Sequence, residues 1–249
     1  MNKILKDLQK LTQKKYRLQN NLFFIEGKKN FQECIKSNIN FKYIVVTNEF
    51  YEQNRKILNK SDNLFIVEDN DFKKLSVLET PQGIITYIEK NTVLINDISE
   101  NNIIFINEIS DPGNLGTIIR IADWFGFKEM IISKNSVELF NPKVIQASMG
   151  SIFHNKFLIN VDPISYIKKL KKLNYEIILA DLNGENIYKT NYSKNKNIFV
   201  LSNEANGPSD EIIKLSDKIV TIPKFGDAES LNVAVSCGII LSDFKSKQQ

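Results

Sequence analysis

Six short apolar runs in the second half of the chain set the fold class: Ile103-Ile104-Phe105-Ile106, Glu129-Met130-Ile131-Ile132, Phe157-Leu158-Ile159, Glu176-Ile177-Ile178-Leu179, Ile198-Phe199-Val200-Leu201 and Lys218-Ile219-Val220. Helical patterns separate most of them. A strand wetted on one face alternates apolar and polar side chains, whereas a strand covered on both faces stays apolar. The runs therefore predict an α/β region with a mainly parallel sheet and helices on both faces. Ligands of such sheets bind beyond the carboxyl ends of the strands. Three segments that follow strand ends, 107–116, 202–208 and 221–230, are rich in Gly, Pro, Asn and Glu. They supply turns and backbone amides rather than packing surface.

The first ninety residues alternate differently. Lys3–Leu11 reads as a helix, Leu22–Ile25 as a strand, Lys28–Ser37 as a helix and Tyr43–Val46 as a strand. Glu49–Leu58, Leu64–Val67, Asp71–Leu78 and Ile84–Tyr87 continue the series, which predicts a small α/β sandwich. A polar stretch from Glu89 to Asn101 separates the halves. The expected organisation is a first domain over 1–90, a linker over 91–101 and a second domain over 102–249.

Composition narrows the chemistry. No apolar run approaches the length of a membrane span, and the first residues lack the apolar centre of a signal peptide, so the expectation is a cytoplasmic protein without membrane contact. Two distant cysteines, Cys34 and Cys237, and one histidine, His154, do not furnish a Cys/His zinc site or a His-dependent triad. No metal site is expected. The net charge is only +4, but Lys3, Lys6, Lys10, Lys14, Lys15, Arg17, Lys28 and Lys29 crowd the first thirty residues. Such clustering suits a polyanion, and a solvated lysine face is the alternative.

Two places carry polar groups where packing does not ask for them. Ser230-Leu231-Asn232 opens a run that stays apolar through Leu241. An unpaired amide there costs about 1–3 kcal/mol. Either Ser230 caps the helix while Asn232 satisfies nearby backbone, or the helix mouth faces a site. In the helix that starts near Asn114, Leu115, Ile118, Ile121, Ala122 and Phe125 form the core stripe. Arg120 lies about 150° from it, on a face with Gly116, Thr117, Asp123 and Trp124. An Arg120–Asp123 pair is one reading. An exposed Trp124 points to contact with another subunit. Neither a dinucleotide-binding G-x-G-x-x-G nor a P-loop is present, and the glycine-rich methyl-donor loop after a first strand is missing too.

Three segments together resemble the sequence motifs of the SpoU (TrmH) family of RNA ribose methyltransferases, within the SPOUT superfamily. They are Asn107–Ala122 with Phe125-Gly126, Val200–Gly207, and Ile222-Pro223 through Ser230–Ser236. Asn141-Pro142-Lys143 and Ala147–Ser151 fit a lesser family element, and residues 1–90 resemble a ribosomal-protein-like substrate-binding domain. The resemblance implies a deep trefoil knot, an exception to unknotted topology. It implies S-adenosylmethionine bound in that knot near Leu201, Ser202, Asn203, Ile222 and Leu231. Ser202 stands where the family usually has glycine. Asn114, Arg120, Glu204, Ser230 and Asn232 would line the methyl-transfer site, Arg120 holding a phosphate and stabilising charge on the 2′-oxygen, because a guanidinium stays protonated. Lys14, Lys15, Arg17 and Lys28 are the expected RNA contacts. The implied partners are RNA and a second copy of the chain. Ribosomal RNA is the first expectation, and transfer RNA or a non-catalytic RNA-binding role are the alternatives.

Overall fold

The computed structural model describes residues 3–58, 63–192, 195–203 and 207–248. The first half contains α1 (Lys3–Gln9), α2 (Lys14–Asn20), β1 (Leu22–Glu26), α3 (Lys28–Lys36), β2 (Tyr43–Thr47), α4 (Asn48–Leu58), β3 (Leu64–Val67), α5 (Asp69–Leu75) and β4 (Ile84–Glu89). Its sheet has the order β1-β4-β2-β3, with β2 and β3 parallel and the other neighbours antiparallel. The expected first helix stops at Gln9 and continues as a 3-10 turn over Lys10–Thr12, and the sequence reading missed α2.

The second half holds β5 (Asn102–Asn107), α6 (Pro112–Trp124), β6 (Glu129–Ser133), α7 (Pro142–Ser148), β7 (Lys156–Val161), α8 (Pro163–Lys172), β8 (Glu176–Asn186), β9 (Asn197–Ser202), α9 (Asp210–Leu215), β10 (Lys218–Thr221) and α10 (Val233–Ser246). The six strands form one sheet, β10-β8-β9-β5-β6-β7, and every neighbouring pair is parallel. Two-sided covering explains the unbroken apolar runs, since Ile103 to Ile106 and Ile198 to Leu201 are all buried. Helix starts repeat one device. Asp111, Asn141 and Asp162 each cap a helix with a side-chain oxygen, and Pro112, Pro142 and Pro163 follow at the first helical position.

The two halves share a core. Phe23 and Ile25 of β1 pack in one cluster with Phe140, Phe153 and Phe157, and the Phe23 and Phe140 rings lie 4.7 Å apart. The segment 91–101 is not free chain. Val93 is buried, Ile95 N–H donates to the Phe157 carbonyl at 3.0 Å, and the Glu129 carboxylate accepts from Ser99 N–H and Oγ at 2.7 Å each.

Arg17 departs from the expected basic face. It is 3% exposed, donates from Nη1 to the carbonyls of Leu11 and Thr12, and forms a forked ion pair with Glu138 in the other half. A guanidinium with these donors engaged is a strut between the halves, which removes it from the RNA contacts. Gly116 was placed on the outer face of α6. It is buried instead: a Cβ there would stand 2.5 Å from Ala147 Cβ and 2.6 Å from the Val144 carbonyl oxygen. Only a missing side chain lets α6 and α7 cross this closely.

Candidate functional site

A cavity of about 320 Å³ opens at the carboxyl ends of β8, β9 and β10, a size within the usual range of small-molecule sites. Leu201, Val220, Ile222, Val233 and Ile240 give it an apolar floor, and Asp181, Asn203, Thr221, Lys224, Glu229, Ser230 and Ser236 supply polar groups. A register jump in the sheet makes room. Leu179 pairs with Ile219, yet the next β10 residue, Val220, pairs with Glu185. The excursion of 180–184 brings Ala180, Asp181 and Leu182 to the cavity wall. It returns through Gly184, where a Cβ would meet the Val220 backbone at 2.5 Å.

The five expected cofactor residues, Leu201, Ser202, Asn203, Ile222 and Leu231, all line this cavity. Ser202 is buried, and its Oγ accepts from Asn107 Nδ2 at 3.4 Å, so the unusual serine is tied back toward β5. Asn203 Nδ2 donates to the Glu108 carbonyl at 3.0 Å. Glu108 adopts φ = 57°, its N–H donates to Ser133 Oγ, and its carboxylate accepts from Asn135 Nδ2. A left-handed non-glycine conformation persists only where surrounding contacts enforce it, and here the residue is held at three points, its carbonyl anchoring the Asn203 side chain.

Beside the cavity, the N-termini of α6 and α10 meet. Asn232 Nδ2 donates to Asn114 Oδ1 at 2.8 Å, while Asn232 Oδ1 accepts from the N–H groups of Ala234 and Val235. The cap of α10 is thus Asn232, not Ser230, which stands exposed on the cavity wall. Asn114 is held from the other side, its N–H donating to Asp111 Oδ1 at 2.7 Å. Two helix starts converge here, and their positive dipole ends favour developing negative charge.

Arg120 is exposed, and among the described residues it has no ion pair. Asp123 is engaged elsewhere, 2.7 Å from His154 Nδ1 and 3.8 Å from Lys128. Helix geometry puts Arg120 about 9 Å along α6 from Asn114 and about 120° around it, so within one chain these two side chains leave the helix in different directions. Trp124, one turn further on, is 85% exposed. Glu204 lies outside the described residues. Lys14, Lys15 and Lys28 are exposed, and Lys15 stands over the Tyr16 ring at 5.9 Å.

Sequence reasoning missed Asp181 and Glu108. The strand-end rule would have found Asp181 had it been applied to β8 as well as β5, β9 and β10. Burial pushes the thiols of Cys34 and Cys237 up, which leaves both inert as nucleophiles. Among the described residues no cluster of His, Cys, Asp and Glu has the form of a metal site.

Residues 101–242 match the model of the SpoU rRNA methylase family, and residues 2–86 match that of an MRM3-like substrate-binding domain. The chain is 29% identical over 242 residues to the Bacillus subtilis 23S rRNA (guanosine(2553)-2′-O)-methyltransferase RlmP, spanning 96% of this chain and 95% of that protein. An rRNA methyltransferase from Sinorhizobium meliloti superposes with a TM-score of 0.88 at 25% identity, covering 100% of this chain and 96% of that one. The AdoMet-bound form of an rRNA methyltransferase from the same organism superposes with a TM-score of 0.87 at 24% identity, over 100% and 96% of the two chains. The motifs, the parallel sheet and these matches agree: the chain belongs to the SpoU rRNA methylase family.

Proposed function

We propose that this protein transfers a methyl group from S-adenosylmethionine to a ribose 2′-hydroxyl of ribosomal RNA. The observation that carries the reading is the cavity at the ends of β8, β9 and β10 lying against the joined starts of α6 and α10. The cavity fits the donor: it has an apolar floor for a flat heterocycle, strand-end backbone around it, and hydroxyl, amide and carboxylate side chains for ribose and amino-acid groups.

S-adenosylmethionine, when bound, supplies an electrophilic methyl group. The chain has three tasks. Leu201, Ser202, Asn203, Ile222 and Leu231 hold the donor at the cavity wall. Asn114, Ser230 and Asn232 orient the ribose hydroxyl, and alignment alone is a large part of such a reaction's acceleration. Arg120 binds the neighbouring phosphate and stabilises charge on the 2′-oxygen as its proton passes to solvent water; as a permanent cation it is not itself the base. Glu204 completes this set. Lys14, Lys15 and Lys28 draw the RNA backbone onto residues 1–90, with 91–101 connecting that unit to the catalytic unit over 102–249.

Arg120 reaches a ribose most readily from a second copy of the chain. Trp124 and Val235, 85% and 51% exposed, lie on α6 and α10, the helices that flank the site. Covering them in a homodimer brings the Arg120 face to an interface. Light scattering at micromolar concentration should give twice the chain mass; a monomer would count against this. The strand β9 is inserted between β5 and β8, both earlier in the chain, and α10 follows. This insertion supports the trefoil knot, and single-molecule stretching should stop short of the full contour length. The protein is read as cytoplasmic; no helix among the described residues is long and apolar enough to cross a membrane.

Mapping 2′-O-methyl groups in total RNA with and without the gene tests the function. One ribosomal position should lose its methyl group. Loss confined to transfer RNA, or no loss, would sink the rRNA assignment. Arg120→Lys should lower transfer about 100-fold and leave donor affinity unchanged; near-full transfer would remove the need for a forked cation.

A further inference from the structure

The cavity wall contains two carboxylates without a task so far, Asp181 and Glu229. We infer that Asp181 reads the ribose of the methyl donor, accepting hydrogen bonds from its hydroxyl groups; this rests on the donor assignment above. Asp181 is half-buried at the cavity, in the stretch of β8 that leaves register with β10. Register irregularities beside a site re-aim side chains, and this one breaks the ladder just where Asp181 reaches the wall. Leu179 pairs with Val200, the last pair of the β8–β9 ladder, so Asp181 follows that ladder on β8 as the donor-holding Ser202 does on β9, and both line the cavity.

Its hydrogen bonding is half used. Oδ1 accepts from Asn183 N–H at 2.9 Å and from Asn183 Nδ2 at 3.3 Å, which fixes the carboxylate, while Oδ2 has no partner among the described residues. Asp181 has no ion pair there either, although Lys224 also lines the cavity. A fixed anionic acceptor with a free oxygen matches a pair of hydroxyl donors. Acidic side chains near strand ends hold ribose hydroxyls in the same way in dinucleotide-binding sheets. The remaining cavity carboxylate, Glu229, is exposed on the loop before α10 and is not fixed by any such bond among the described residues.

Isothermal titration with S-adenosylhomocysteine tests this without methyl transfer. Asp181→Ala should weaken binding about 10- to 100-fold, the usual worth of a hydrogen bond to a charged group. Asp181→Asn should recover part of the loss, because its Oδ1 remains an acceptor. The 2′-deoxy and 3′-deoxy forms of S-adenosylhomocysteine are the decisive probes. At least one should bind wild type and Asp181→Ala with nearly equal affinity. 5′-Methylthioadenosine, which keeps the ribose and lacks the amino-acid tail, should lose the same factor as S-adenosylhomocysteine. A loss confined to the tailed ligands would overturn the ribose assignment in favour of the tail ammonium. Equal losses for natural and both deoxy forms, or no loss at all, would overturn it too. Failure of the wild-type protein to bind S-adenosylhomocysteine and S-adenosylmethionine would strike the donor assignment first and this inference with it.

Discussion

Replacing Asn232 separates two jobs that its side chain performs at once. Its Oδ1 caps α10 through the N–H groups of Ala234 and Val235, at 3.0 and 3.4 Å, and its Nδ2 ties α10 to Asn114 at 2.8 Å. Asn232→Ala removes both. Loss of the cap costs about 1 kcal/mol, and loss of an amide–amide hydrogen bond at a partly exposed position about 0.5–1 kcal/mol. The sum, about 1.5–2 kcal/mol, lowers Tm by roughly 3–8 °C in a chain of this size. Asn232→Asp keeps an oxygen at the cap and sets a negative charge at a helix start, where it is favourable. Its Tm should stay within about 2 °C of wild type. It has no N–H to give Asn114, however, and it adds negative charge beside the oxygen on which charge develops. Methyl transfer should fall at least about 100-fold in Asn232→Asp despite native melting. Calorimetry and transfer of a labelled methyl group to ribosomal RNA from a strain lacking the gene measure the two effects. Full transfer by Asn232→Asp would reduce Asn232 to a helix cap and break the link between this helix mouth and the chemistry.

Three further outcomes follow from the packing and the charges. Gly116→Ala places a methyl group 2.5 Å from Ala147 Cβ and 2.6 Å from the Val144 carbonyl oxygen, so α6 and α7 must part; about 1–3 kcal/mol should be lost in urea unfolding, and an unchanged midpoint would refute the close crossing. Arg17→Ala strands Glu138, whose remaining cation, Lys90 Nζ, is 3.7 Å away, in a largely buried setting; about 3–5 kcal/mol should be lost, more than in Arg17→Met with its packing retained, and wild-type stability would refute the strut. The Lys134 ammonium, and then the Ser165 N–H and hydroxyl, lower the Asp162 carboxyl from 3.8 to about 2. A lowered carboxyl stabilises the fold fully above its unfolded value and loses that contribution as pH falls through the folded value. Acid unfolding of Asp162→Asn should therefore be less steep between pH 3.8 and about 2, and an identical profile would refute the coupling.

The sequence by itself determined the strands and, at three places, displays a helix start. Ile103–Ile106 and Ile198–Leu201 read as strands covered on both faces and are buried throughout, and these and the other four runs each lie within an observed strand. Asp111-Pro112, Asn141-Pro142 and Asp162-Pro163 begin helices through contacts two or three residues away, which a sequence displays directly. The motif segments likewise placed the polar groups at strand ends. What followed from contacts between distant residues was not legible. Arg17 looks like one more cation of a basic face until Glu138, 121 residues later, appears beside it. Gly116 looks like part of an outer face until α7 occupies the space its side chain would fill. Asn232 is a cap on local evidence and becomes part of a joined pair of helix starts only when Asn114, 118 residues away, is brought within 2.8 Å. Asp181 stands just past the apolar run Glu176–Leu179, where the strand-end rule could have found it, but that it reaches the cavity wall depends on a register jump between β8 and β10. Short-range sterics and hydrogen bonds act between neighbours in sequence and leave a signature there. Pairing, register and burial act between neighbours in space, and they were decided only when the sheet was assembled.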